Sequence, residues 1–219
     1  MISIKNSQGV ISEELNEIKK RSIVKTDMSD HLETLFIESL SVKPKLVVEL
    51  GVKKGESTFA LEHVAKLWGS KLVSVDIEDC SDVSSYENRI FVQKDDIEFA
   101  QEFEDWCKKH MIEPQIDILF VDTSHLFEHT CQEIESWFPF LSNKSKVFFH
   151  DTNLKDIYPR KDGSIGIGWD NERGVIRALE KYFNTPFNEG KNFVDLRNGW
   201  LIKHYYYCCG FTILEKMNF

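Results

Sequence analysis

Short apolar runs alternate with helix-period stretches along most of the chain. Leu46–Leu50, Lys71–Ile77, Arg89–Lys94, Ile116–Asp122 and Lys146–Asp151 each read as a buried strand. Between them, Ser57–Trp68 places Leu61, Val64 and Trp68 on one helical face, and the stretch after Asp95-Asp96 does the same with Phe99, Phe103 and Trp106. A third stripe runs through Phe127, Cys131, Ile134, Phe138 and Leu141. Ahead of the first strand, Ser12–Lys20 and Ser29–Leu40 have helical spacing, and Pro44 ends the second. Alternation of this kind predicts βαβ units and an open, doubly wound α/β sheet. The pattern changes after residue 151. Thr152–Gly168 reads as a long polar loop, and Asp170 or Asn171 as the cap of a helix running to about Phe183. The strand-like segments FVDLRNGWLIKH and FTILEK follow with no helix between them, so they are expected to form an antiparallel edge. No repeat or linker interrupts the 219 residues. They are read as one domain: N-terminal helices (1–44), a core (45–152), and a loop, helix and closing strands (153–219).

Bulk properties narrow the function. A formal net charge of −9 offers no footprint for a nucleic-acid backbone, and there is no N-P-P-Y motif at strand four. No apolar stretch is long enough to span a bilayer, and the start, MISIKNSQGVISEEL, lacks the pattern of a signal peptide. Five cysteines, two of them adjacent (Cys208-Cys209), fit no disulfide or metal framework and suggest a reducing, cytoplasmic setting. The expected partner is a small molecule, with neither nucleic acid nor membrane; a homo-oligomer is left open.

The chemistry gathers at strand ends, where open α/β sheets bind ligands. Gly51 allows a sharp turn after strand one and Gly55 a close backbone approach, with Ser57 or Thr58 at the helix start. Acids follow the apolar runs at Glu49, Asp76, Asp95-Asp96, Asp122 and Asp151. Asp76 is placed to accept from both hydroxyls of a ribose, or else is a solvated acid. Asp95 or Asp96 either faces an exocyclic amine of adenine or caps the next helix. Glu49 either holds a ligand ammonium or is a buried acid bonded to turn amides. Asp122 and Asp151, with His150 or Thr152 as a further candidate ligand, suit a hard cation such as Mg²⁺; alternatively Asp122 caps a helix. His125 and His129, in H-L-F-E-H, stand one helical turn apart, a spacing that is usually incidental. His125 is the better general-base candidate, because imidazole exchanges protons near neutrality. Tyr158, Arg160 and Trp169, in or next to the long loop, are candidates for touching substrate. Cys131, Trp68, Trp106 and Trp137 read as packing groups.

Four segments carry a resemblance: VVELGVKKGEST (Val47–Thr58), SVDI (Ser74–Ile77), FVDTSH (Phe120–His125) and FFHDT (Phe148–Thr152). They resemble class I methyltransferases that use S-adenosylmethionine, in particular the small bacterial branch similar to the cephalosporin hydroxylase and macrocin O-methyltransferase group. The likeness covers Leu46–Thr152. It implies a Rossmann-like, seven-stranded sheet, mostly parallel. Glu49, Gly51, Gly55 and Ser57 would lie on the methionine side, Asp76 at the ribose, and Asp122 and Asp151 on a divalent metal. Methyl transfer to a hydroxyl of a small molecule, a sugar or secondary metabolite, is the implied activity, with Asp122 or His125 assisting proton removal. His150 departs from the acid or amide common in metal-dependent relatives. The competing readings are an NAD-linked oxidoreductase, against which the missing G-x-G-x-x-G speaks, and a non-catalytic binding protein that keeps the pocket.

Overall fold

The computed structural model describes residues 4–217, so the leading stretch read for a targeting signal begins outside them. Two helices, α1 (Ile4–Ser22) and α2 (Leu32–Leu40), precede β1 (Leu46–Leu50). Then come α3 (Glu56–Trp68), β2 (Lys71–Asp76), β3 (Arg89–Gln93), α4 (Asp96–Lys109), β4 (Ile116–Val121), α5 (Phe127–Trp137) and β5 (Leu141–His150). The remainder is β6 (Ile157–Pro159), β7 (Ile165–Ile167), α6 (Gly174–Phe183), β8 (Phe193–Arg197), β9 (Trp200–Tyr205) and β10 (Phe211–Lys216).

Eight strands form one sheet in the order β3-β2-β1-β4-β5-β10-β9-β8, parallel from β3 to β5 and antiparallel beyond. This is one strand more than the seven the resemblance implied. β8 and β9 make a hairpin through Asn198-Gly199, whose φ values of 49° and 80° match the turn the two residues favour. The chain therefore adds the extra strand at the outer edge, far from the β1–β4 junction.

The sheet is covered on both faces, as parallel strands require. Along β1 the side chains alternate: Val47 packs with Leu35, Phe36, Leu61 and Val64 of the α1–α3 layer, whereas Leu46, Val48 and Leu50 pack with Phe99, Phe103, Trp137 and Leu179 of the α4–α6 layer. Among the described residues no helix is long and apolar enough to cross a membrane.

Several expectations need correction. Leu141 belongs to β5, because Phe138–Phe140 tightens into a single 3-10 turn around Pro139 and ends the helical stripe three residues earlier. The polar loop after residue 151 contains an antiparallel hairpin, β6–β7, with Tyr158 opposite Gly166. A Cβ at Gly166 would meet the Tyr158 ring, so the small residue makes room for the aromatic one. Neither Asp170 nor Asn171 caps α6, which starts after Arg173; Asp170 instead accepts the Glu172 amide in a local turn. Trp68, at the end of its helix, is half-exposed rather than packed, with Lys43 Nζ 5.5 Å above its ring.

Candidate active site

Sheet order reverses between β1 and β4, and the carboxyl ends there open on a cleft of about 570 Å³. Gly51, Asp76, Asp95, Asp96, Asp122, His125 and Asp151 all line it. A second hollow, lined by Ser57, Tyr158 and Arg160, shares Asp27, Val52, Lys53 and Asp122 with the first. The strand-end acids thus converge, and the post-β5 hairpin reaches the same rim.

Gly51 is indispensable to this geometry. Its φ is +84°, and a Cβ there would lie 2.0 Å from the Asp122 carbonyl oxygen. The loop after β1 and the end of β4 therefore touch through bare backbone. Gly174 does the same for α6: a Cβ would come 2.3 Å from the His125 carbonyl oxygen.

Asp76 ends β2 and is pulled toward the turn after Gly51. Its Oδ2 accepts the Val52 and Lys53 amides at 2.7 and 3.0 Å, and Oδ1 accepts the Glu78 amide at 2.9 Å. Partial burial works against ionisation, but the three amides outweigh it and hold the carboxyl below its ordinary range. Asp95 caps α4, with Oδ1 accepting the Ile97 and Glu98 amides at 3.0 Å each. Asp96 is the buried one and turns toward His129, whose Nε2 is 3.0 Å from its Oδ1.

Glu49 lies elsewhere. Side-chain alternation puts it on the Val47 face of β1, beneath α3, fully buried. Its carboxylate accepts from the Ser57, Thr58 and Ser74 hydroxyls at 2.7 to 3.0 Å. Burial pushes its pKa up despite those bonds. It belongs to the packing under the first turn of α3, not to the wall of the cleft, and Ser57 is its partner there. Gly55 likewise faces packing, since a Cβ would meet Val83 at 2.9 Å.

Two acids and two histidines meet where β4 and β5 end. His125 Nε2 is 3.2 Å from Asp151 Oδ2, and its Nδ1 is 3.7 Å from Asp122 Oδ1. His150 Nδ1 is 3.2 Å from Asp122 Oδ1 and 3.3 Å from Asp151 Oδ1. His150 Nε2 faces the Asp27 carbonyl at 3.2 Å, so both ring nitrogens meet acceptors and the ring is an imidazolium. Burial opposes that charge, but Asp151 and Asp122 overcome it and raise the His150 pKa well above its ordinary value. Burial also opposes ionisation of Asp151, yet His150, with a smaller part from His125, brings it down to about 2. His125 and Asp151 both have left-handed backbone, φ 60° and 56°. Strained residues of this kind gather where a fold positions functional groups. Trp169 stands 5.9 Å from the His125 ring and is half-exposed.

The same residues suit a divalent cation. Asp122, His150 and Asp151 offer donor atoms within 4.8 Å of one another, and Asp151 Oδ1 is buried without a hydrogen-bond partner. An imidazole that surrendered its Nδ1 proton would join the carboxylates as a third ligand, so His150 is compatible with a metal.

The sequence offered no hint of Asp27, which precedes α2 and lines both hollows while its carbonyl accepts from His150. His129 too has partners that its spacing in the sequence does not suggest. His125 lies outside α5, so the two histidines do not share a helix face, and His129 answers to Asp96 and Glu133 instead.

Residues 48–152 match the family model described as a methyltransferase domain. A 75-residue stretch is 29% identical to the uncharacterized protein y4gI of Sinorhizobium fredii, covering 34% of this chain and 7% of that protein. Among solved structures, the chain is similar to the MycE methyltransferase of the mycinamycin biosynthetic pathway, captured with Mg, SAH and mycinamycin VI. The TM-score is 0.58 at 18% identity, over 94% of this chain and 54% of MycE, so the chain spans about half that protein's length. A methyltransferase from Geobacter sulfurreducens aligns with a TM-score of 0.57 at 14% identity, over 96% and 90% of the two chains. An O-methyltransferase from Bacillus cereus, in complex with SAH, gives 0.56 at 13%, over 93% and 90%. These likenesses extend over the antiparallel edge as well as the parallel core.

Proposed function

Because residues 48–152 match a methyltransferase-domain model, we propose that the chain is a class I methyltransferase that carries the methyl group of S-adenosylmethionine to a hydroxyl of a small molecule. The observation that supports this most is the convergence of Asp76, Asp122, His125 and Asp151 on one cleft at the sheet's switch point. Asp76, already held ionised by backbone amides, would accept from the ribose hydroxyls, and the Asp95-Asp96 corner would face the adenine. The Gly51 turn, which lines the cleft and abuts the Asp122 backbone, would lie on the donor's methionine side.

A sulfonium methyl is intrinsically reactive, so the protein's task is alignment and proton removal. Nε2 of His125 stands 3.2 Å from Asp151 Oδ2, and an imidazole carrying its proton on that nitrogen would keep a lone pair on Nδ1. That nitrogen takes the hydroxyl proton as the oxygen–carbon bond forms and the carbon–sulfur bond breaks. The products are a methyl ether, S-adenosylhomocysteine and a protonated His125. Where a divalent cation is bound, Asp122, Asp151 and His150 would hold it, and it would lower the pKa of the substrate hydroxyl.

The net charge of −9 and the five free cysteines support a small-molecule partner and a reducing, cytoplasmic setting. The test is calorimetry with S-adenosylmethionine, with and without Mg²⁺, followed by mass-spectrometric screening of hydroxyl compounds for a one-methyl gain. Asp76→Ala is expected to weaken donor binding at least about tenfold, roughly the value of one charge-assisted hydrogen bond. Unchanged affinity in that variant would remove the ribose assignment.

A further inference from the structure

A second cluster of ligand-type side chains lies where α4 begins and α5 passes. Asp96 and His129 line the cleft, and Glu133 lies behind them, one turn along α5 from His129. His129 Nε2 is 3.0 Å from Asp96 Oδ1 and 3.8 Å from Glu133 Oε1, and one donor atom from each residue falls within 4.8 Å of the others. Ligands arranged tetrahedrally about 2 Å from a zinc ion stand about 3.3 Å apart, so the two short spacings bracket the distance such an ion requires.

As a set of protein groups alone the cluster is incomplete. Nε2 carries at most one hydrogen, yet two carboxylates approach it. Thr123 Oγ1 donates to Glu133 Oε1 at 2.5 Å, but Glu133 Oε2 and Asp96 Oδ2 are sealed from solvent with no hydrogen-bond partner. Glu133 is 1% exposed and Asp96 6%, so water does not make up the deficit. Two carboxylates buried around one imidazole call for a further positive charge.

We propose that Asp96, His129 and Glu133 bind a divalent cation of the zinc class, at a site separate from Asp122, His150 and Asp151. One imidazole with two carboxylates suits a borderline ion, whereas Mg²⁺ prefers oxygen ligands and several waters. The ion enters from the cleft, along the side lined by Asp96 and His129. Once bound it ties the start of α4 to α5 beside the Asp95-Asp96 corner.

The test uses the full-length protein stripped with a chelator, with Co²⁺ as the spectroscopic probe and Zn²⁺ as competitor. An Asp122→Ala, Asp151→Ala background removes both carboxylates of the other cluster. The expected result is about one equivalent of Co²⁺ with visible d–d bands, displaced by Zn²⁺ but not by equal Mg²⁺. Adding His129→Ala is expected to weaken that binding at least tenfold. Glu133→Gln, which keeps the side chain's shape and its Thr123 contact, should weaken it similarly while its circular dichroism stays native, and it decides the matter if His129→Ala fails to fold. Identical Co²⁺ titrations with and without His129, or no saturable bands at all, would overturn the site. S-adenosylmethionine calorimetry is read separately, so loss of either conclusion leaves the other standing.

Discussion

Two carboxylate–imidazole clusters share one cleft, and the ratio of their parts sets their character. At the ends of β4 and β5, two acids meet two histidines, and Asp151 is brought down to about 2. At the α4–α5 contact, two acids share one histidine, and burial, followed by the charge of Asp96, pushes Glu133 up to about 8. Burial is severe in both places, so depth alone does not decide ionisation. In the first cluster the buried His150 keeps Asp151 ionised; the second must hold a proton or recruit a cation.

The largest expected effect is at the first cluster. His125→Ala should slow single-turnover methyl transfer by about 10²- to 10⁴-fold, the usual worth of a positioned base, with donor affinity unchanged by calorimetry. A rate within threefold of the parent would move the proton-accepting role elsewhere, and the contrast between the clusters would lose its functional half.

The next test sharpens the contrast by pH. In chelated protein, the unfolded chain ionises Glu133 near its ordinary 4.5 while the folded chain holds the proton to about 8. Stability is therefore expected to fall as pH rises across that interval. Thermal melts of Glu133→Gln should lack this component; equal slopes in variant and parent would argue that the carboxyl is ionised when buried. His150 contributes in a different window. Its folded pKa is raised, so its stabilisation is complete below about 6.5 and lost as pH climbs toward the folded value. His150→Gln should flatten only that upper part of the profile.

The smallest effect separates Asp95 from Asp96. Asp95→Ala removes the α4 cap and should cost about 1 kcal/mol in urea denaturation without altering Co²⁺ binding. A shift in metal affinity comparable to that of Glu133→Gln would merge the two residues into one site.

Much of the fold is legible in the chain because parallel strands buried on both faces must be apolar throughout. β1 carries the boundaries read from Leu46–Leu50, and β2 to β4 end within one residue of their predicted limits. Legibility fades where local pattern has two solutions. Leu141 continues a helical stripe and also begins a strand, and the turn around Pro139 chose the strand. The β6–β7 hairpin leaves no periodic signal because its strands are three residues each, too short for alternation to declare itself. Glu49 stands in a motif that suggests ligand binding, but its parity along β1 turns it under α3.

The sequence alone established the alternation of core strands and helices, the acids at the strand ends and the sharp turn at Gly51. These follow from periodicity and sterics, which act between near neighbours. Only the tertiary structure decided which acid faces which histidine: that Asp151 lies between His125 and His150, and that His129 belongs to Asp96 and Glu133. Ionisation at these sites is set by burial and by charges a few ångströms away, and residues far apart in the chain become such neighbours only when the sheet and helices pack.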